Sequence, residues 1–166
     1  MTTRSQTPME KDFFSWGQAS PLPDADGLAG SYAGVSGGAL LLAGGTNFPG
    51  NQRPWTGGTK TWYDKIYVLE QPGGSWKLAG RLPRPLGYGI SITGAGGLIC
   101  LGGGDAQREY ADAFILQYQA GRLSTIPLPP LPAPLVNGCG VLLQHRIFVL
   151  ASGGAFWSPL GAPPKR

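Results

Sequence analysis

Charge is scarce in this chain. Only 13% of its 166 residues are Asp, Glu, Lys or Arg, and the 13 basic residues are scattered without a run of five. A net charge of +4 spread this thinly does not make the basic stripe that nucleic acid requires. Cysteine is rarer still: Cys100 and Cys139 stand in apolar, strand-like runs. Both read as reduced, buried thiols, and spacing alone cannot establish a disulfide between them. His145 is the single histidine, and neither a Cys-x-x-Cys nor a His-Glu-x-x-His spacing occurs, so no metal and no cofactor is expected. No apolar stretch reaches 18 residues, and Met1 to Phe14 is polar. The expectation is a cytoplasmic protein without a membrane partner, or a periplasmic one if translation begins upstream.

What the chain has in abundance is turn residues: 28 glycines and 16 prolines. Without a period this would read as low complexity. A period is present. Leu82-Pro83-Arg84-Pro85-Leu86-Gly87-Tyr88-Gly89 returns 49 residues later as Leu131-Pro132-Ala133-Pro134-Leu135-Val136-Asn137-Gly138. Tyr63-Asp64-Lys65-Ile66-Tyr67-Val68-Leu69-Glu70 returns 47 residues later as Tyr110 to Gln117. An apolar run ending in glycines occurs three times, at Ala39 to Gly45, Gly97 to Gly103 and Arg146 to Gly154. A period near 50 residues made of short strands points to an all-β, kelch-type β-propeller.

The runs Leu40-Leu41-Leu42, Leu98-Ile99-Cys100-Leu101 and Ile147-Phe148-Val149-Leu150 are apolar on both faces. Continuous rather than alternating hydrophobicity means that both faces are covered, as in blades stacked on blades. The spacing predicts one complete four-stranded blade from Ser31–Ser36, Ala39–Gly44, Ile66–Glu70 and Ser75–Ala79. A second comprises Gly89–Thr93, Leu98–Gly102, Ala113–Tyr118 and Arg122–Ile126. Half of a third blade follows, at Gly138–Leu143 and Ile147–Leu150. Phe13 to Gln18 reads as an orphan outer strand, because Trp16 precedes Leu22 as Trp76 precedes Leu82. Trp16, Trp76 and Leu123 are expected to cover neighbouring blades. The domain reading is a disordered lead over 1–12, a partial propeller over 13–154, and an irregular tail over 155–166.

Several of these phrases resemble one family. They are Gly27-Leu28-Ala29-Gly30-Ser31-Tyr32-Ala33-Gly34-Val35-Ser36, Ala43-Gly44-Gly45-Thr46-Asn47-Phe48-Pro49, Trp55-Thr56-Gly57-Gly58-Thr59-Lys60, Tyr63 to Leu69, Leu82 to Ser91, and Cys100 to Gly103. In this order they are similar to the kelch-propeller N-acetylneuraminate epimerases (sialic acid mutarotases), in the cyclically permuted branch. The resemblance implies a closed six-bladed ring, of which this chain holds about half. It implies a small sugar acid, sialic acid, as substrate. The acidic and arginine residues proposed for catalysis in the family lie outside the positions that match.

Mutarotation opens and recloses a sugar ring. It needs proton transfer at the anomeric hydroxyl and the ring oxygen, and a cation for the substrate carboxylate. In a four-stranded blade the loop between strands two and three emerges beside the link to the next blade. One rim therefore gathers Thr46–Tyr63, Arg81–Tyr88, Gly103–Asp112 and Pro127–Asn137. From this rim the candidate catalytic residues are Asp105 and Arg108. The candidate substrate-binding residues are Asn47, Lys60, Arg84 and Tyr88, with Arg53, Glu109, Asn137, Trp55 and Trp62 also available. Each has a duller reading: Asp105 as a turn carboxylate, Arg84 as a solvated charge, Asn47 as a turn residue, and Tyr88 as packing. Lys60 after Gly57-Gly58-Thr59 lacks the Gly-Lys-Ser/Thr spacing of a phosphate loop.

Half a ring leaves apolar faces wet, so the expectation is self-association or marginal folding. A homodimer or a second half-propeller chain could complete the ring. The competing expectations are a truncated, non-enzymatic kelch remnant and a kelch scaffold that binds protein.

Overall fold

A computed structural model describes residues 15–151 and 154–160. Among the described residues thirteen strands carry the architecture. Strands β1 (Tyr32–Ser36), β2 (Ala39–Ala43), β5 (Lys65–Leu69) and β6 (Lys77–Arg81) form one antiparallel sheet in the order β1-β2-β5-β6. Strands β7 (Ile90–Gly94), β8 (Gly97–Leu101), β9 (Ala113–Gln119) and β10 (Arg122–Pro127) form a second with the same progression. Strands β11 (Cys139–Leu143), β12 (Arg146–Ala151) and β13 (Gly154–Pro159) form the third. The small ribbon of β3 (Thr46–Asn47) and β4 (Thr61–Trp62) rises from the first sheet. These are successive β-propeller blades, with inner strands β1, β7 and β11 lying side by side.

The continuous apolar runs are explained by the seams between blades. Side chains of β8 alternate between two cores: Leu98 and Cys100 enter the seam with the first blade, whereas Ile99 and Leu101 enter the seam with the third. Strand β9 does the same, sending Phe114, Leu116 and Tyr118 one way and Ala113 and Ile115 the other. A middle blade is covered on both sides, so both faces of its central strands are predominantly apolar. The first blade contributes Tyr32, Leu41, Ile66 and Val68 to one seam, and the third contributes Ile147 and Val149 to the other. Leu123 of β10 packs against the first seam, as its position in the repeat suggested. On the outer faces, Leu40 and Leu78 of the first blade and Val141, Leu143, Leu150 and Trp157 of the third are exposed.

The repeat holds hydrogen bond for hydrogen bond. The Gly44 N–H donates to the Lys65 carbonyl and the Gly45 N–H to that of Leu86; Gly102 donates to Asp112 and Gly103 to Leu135 in the same way. Tyr63 donates to Gly45 and Leu86 to Tyr63, matched by Tyr110 to Gly103 and Leu135 to Tyr110. Both Gly-Gly pairs take positive φ, at 64° and 101° in the first blade and 67° and 99° in the second. The left-handed conformation lets the chain turn out of the sheet while its amides reach the next link.

Three expectations are corrected. The third blade has three strands rather than two, because Gly154–Pro159, which runs into the tail expected to be irregular from 155, pairs in register with β12 from Ala151↔Gly154 to Arg146↔Pro159. Its Phe156 and Trp157 are strong strand formers, and the free edge of β12 offers them a ladder. In the expected N-terminal strand, residues 15–20 adopt no strand and Trp16 is 94% exposed. Phe13 and Phe14 lie outside the described residues. The chain there is tied by Trp76 Nε1–H donating to the Ser20 carbonyl at 3.0 Å. Cys139, expected to be buried, is exposed at the start of β11, whereas Cys100 is buried in the first seam and burial pushes its thiol pKa well up.

Candidate functional site

The loops between blade strands two and three, and the links between blades, emerge at one end of the sheets. Hydrogen bonds join them directly. Gly87, in the link between the first and second blades, bridges to Gly104 of the second blade's loop. A Cβ on Gly87 would stand 2.8 Å from Thr46 Cγ2 of the first blade's loop. Gly104 is bridged in turn to Glu109, closing the 105–108 turn. Two adjoining clusters of the expected residues result.

The first cluster holds Asn47, Lys60 and Tyr88. The Lys60 ammonium donates to Tyr88 Oη at 2.9 Å, and Tyr88 Oη lies 3.2 Å from Thr46 Oγ1. The same ammonium stands 4.9 Å from the centroid of the Tyr88 ring and 5.7 Å from the centroids of Phe48 and Trp62. Three aromatic rings thus surround a half-buried cation, a geometry favoured by their quadrupoles. The Lys60 ammonium, with Thr46 assisting, lowers the Tyr88 pKa from its ordinary value.

Asn47 is buried and fully engaged. Its amide donates to the Gly27 carbonyl at 2.9 Å and to Asp24 Oδ1 at 3.3 Å, and its Oδ1 accepts from Tyr63 O–H at 2.7 Å. It fastens the loop and forms part of the wall of an open cavity of about 730 Å³, also lined by Asp26, Phe48, Arg53 and Trp55. Trp55 is 80% exposed and presents a flat apolar surface at this cavity.

The second cluster holds Arg84, Asp105 and Arg108, organised by Tyr110. The Arg84 guanidinium pairs with Asp112 at 2.7 Å and stands 4.5 Å from the Tyr110 centroid. Arg108 stands 4.8 Å from the same centroid, and its hydrogen bond to Tyr110 raises its pKa. Asp105 is a turn carboxylate: Oδ1 accepts from the amides of Gln107 at 2.8 Å and Arg108 at 3.0 Å, and Oδ2 accepts from Tyr110 O–H. The Tyr110 hydrogen bond, then the two amides, hold its pKa below the ordinary carboxylate value. Asp105 is therefore an anion at neutral pH and a poor proton donor.

Sequence reasoning passed over Thr46, Phe48, Tyr110 and Asp112. Tyr110 left a signal: it occupies the repeat position of Tyr63, and both hydroxyls bind the polar residue that sets their own blade's loop. Among the described residues no three His, Cys, Asp or Glu side chains group as metal ligands, and no helix is long and apolar enough to cross a membrane.

Stacked antiparallel blades define a β-propeller, and the polar loop rim with its aromatic-lined cation is the candidate site at one end. Similarity to known proteins adds the family. The N-acetylneuraminate epimerase model matches residues 2–125. The N-acetylneuraminate epimerase of Brucella suis is 36% identical over 124 residues, covering 66% of this chain and 31% of that protein. That of Yersinia pestis is 37% identical over 107 residues, covering 59% and 27%. The solved structure of YjhT aligns with a TM-score of 0.60 and 26% identity, over 67% of this chain and 34% of that one. The chain belongs to the N-acetylneuraminate epimerase family, and it spans about a third of the length of the curated relatives it matches.

Proposed function

We propose that this chain supplies the loop face of an N-acetylneuraminate epimerase, interconverting the sugar's anomers by ring opening and reclosure. The observation that carries this reading is the caged Lys60 beside Tyr88, joined through Thr46 to the wall of an open cavity of about 730 Å³, in a chain of this family. N-acetylneuraminate is a carboxylate attached to an apolar-faced ring. Lys60 and Arg108 are the cations to receive the carboxylate, and Trp55 offers a surface to the ring. Arg84, bound to Asp112, holds Tyr110 in place. Asp105 sets the turn that presents Arg108; an acid–base role would require it to release Tyr110.

The exposed apolar faces of the first and third blades favour completion of the ring by more blades, from a second copy or from another chain. The described residues form two four-stranded blades and a three-stranded one, so two copies would bring together six such sheets, the number of blades that the family resemblance implies. The test is anomer exchange of N-acetylneuraminate, followed by NMR with the full chain at concentrations where it self-associates. Exchange faster than the spontaneous rate is expected. Exchange at the spontaneous rate contradicts the reading.

A further inference from the structure

We propose that Tyr88 is the general acid that protonates the sugar's ring oxygen, with Lys60 stabilising the tyrosinate that remains. This deepens the reading above and rests on it. The first ground is backbone strain. Gly30, Tyr88 and Asn137 occupy the same place at the entry to three successive blades, linked by Tyr88 N–H donating to the Gly30 carbonyl and Asn137 N–H to that of Tyr88. All three take positive φ, at 64°, 62° and 53°. Glycine and asparagine suit the left-handed region; tyrosine does not, and holding it there is costly. Gly30 also makes room for the ring, since a Cβ on it would lie 2.7 Å from Tyr88 Cδ1. A residue needed only for the turn would be Gly or Asn, as in the neighbouring blades. What the strain secures is the position of the tyrosine side chain.

The second ground is the direction of the hydrogen bonds. Lys60 has only protons to give, so Tyr88 Oη accepts from it and its own proton is free to point elsewhere. Thr46 Oγ1 donates to the Ala29 carbonyl at 3.4 Å and so can accept from Tyr88 at rest. Thr46 also lines the cavity, which places the Tyr88 hydroxyl one hydrogen bond from its wall. Among the described residues, the groups that bear on Tyr88 are the Lys60 ammonium and the Thr46 hydroxyl, and their effect is to make the phenol a stronger acid.

The step balances without a cofactor. The bond between the anomeric carbon and the ring oxygen breaks, its electron pair goes to that oxygen, and the Tyr88 proton follows. The anomeric hydroxyl becomes a ketone and its proton passes to water. On reclosure at the other face, water returns a proton to the new hydroxyl and tyrosinate recovers its own.

The test compares wild type, Tyr88→Phe, Tyr88→Asn and Lys60→Met as full chains. Tyr88→Phe keeps the ring and the backbone and should lower kcat roughly 100-fold with KM little changed. Tyr88→Asn should be folded, as Asn137 is at the equivalent position, and should lose the same activity. An acid works only while protonated, so the wild-type rate falls as pH rises through the Tyr88 pKa. Removing Lys60 raises that pKa, so in Lys60→Met the alkaline limb should move to higher pH while kcat drops. The tyrosinate absorbance titration, which needs no activity, should lose its lowest tyrosine step in Tyr88→Phe. If wild type accelerates exchange and Tyr88→Phe keeps its rate, or if the alkaline limb stays put in Lys60→Met, the inference is overturned and the functional reading stands. If wild type gives no acceleration, both fall.

Discussion

Tyr32→Ala is expected to destabilise the chain by about 3–5 kcal/mol, the range for removing a large buried aromatic. Tyr32 is fully buried on the inner strand of the first blade. Its ring packs edge-on against Phe114 of the second blade, with centroids 5.8 Å apart. Its hydroxyl donates to the Gly102 carbonyl at 2.5 Å. Two glycines make this possible, for a Cβ on Gly89 or Gly103 would come within 2.3 Å of the ring or its oxygen. One side chain therefore spans the first seam and closes a hydrogen bond inside the second blade. Burial pushes its pKa far up, so it stays a neutral donor. Tyr32→Phe keeps the ring but leaves a buried carbonyl unpaired, at a cost of about 1–3 kcal/mol. Denaturant unfolding of the three proteins checks the order. A loss below about 1 kcal/mol for Tyr32→Ala would show that the seam does not depend on this residue.

Gly102→Ala is expected to cost about 2–5 kcal/mol, from left-handed strain of about 1–2 and overpacking of about 1–3. Its φ is +67°, and a Cβ there would lie 2.5 Å from the Leu135 carbonyl oxygen. That oxygen is backbone and accepts the Gly103 N–H, so it cannot step aside without breaking the link between second and third blades. Gly38→Ala separates the two causes. Gly38 has φ +78° in the β1–β2 turn with nothing within 4 Å of the added carbon, so strain alone applies and about 1–2 kcal/mol is expected. Equal losses at both positions, measured by the same unfolding, would remove close packing from the explanation of the Gly-Gly pairs.

The fold was legible because one physical demand recurs. Each blade needs an apolar central pair and a glycine exit, and the repeated phrases are that demand written out; the matched hydrogen bonds of Gly44, Gly45, Gly102 and Gly103 follow it. Strand β13 was hidden because the glycines that precede it in the third copy read as the end of the pattern, and because edge pairing depends on an edge that no local phrase reveals. The Trp16 spacing misled for a related reason: it matched Trp76 in sequence, whereas strand pairing is set by what lies beside the chain and not by spacing.

The candidate site was legible by residue type but not by partnership. Lys60 finds Tyr88, and Arg84 finds Asp112, each across 28 residues and between neighbouring blades. Such pairs are set by how the loops fold over the rim, and only the Tyr63 and Tyr110 repeat hinted at it. Asn47 and Asp105 were both assigned chemistry by type, yet each has its polar atoms engaged in holding a loop.

The measurement that bears most directly on the loop-face site is an amide chemical-shift map of the full chain on adding N-acetylneuraminate. The account predicts saturable shifts at Thr46, Asn47, Lys60 and Tyr88, extending to Arg108 and Tyr110. Shifts confined to the turns at Gly37–Gly38 and Ala120–Gly121, at the opposite end of the blades, would contradict it, as would no shift at all.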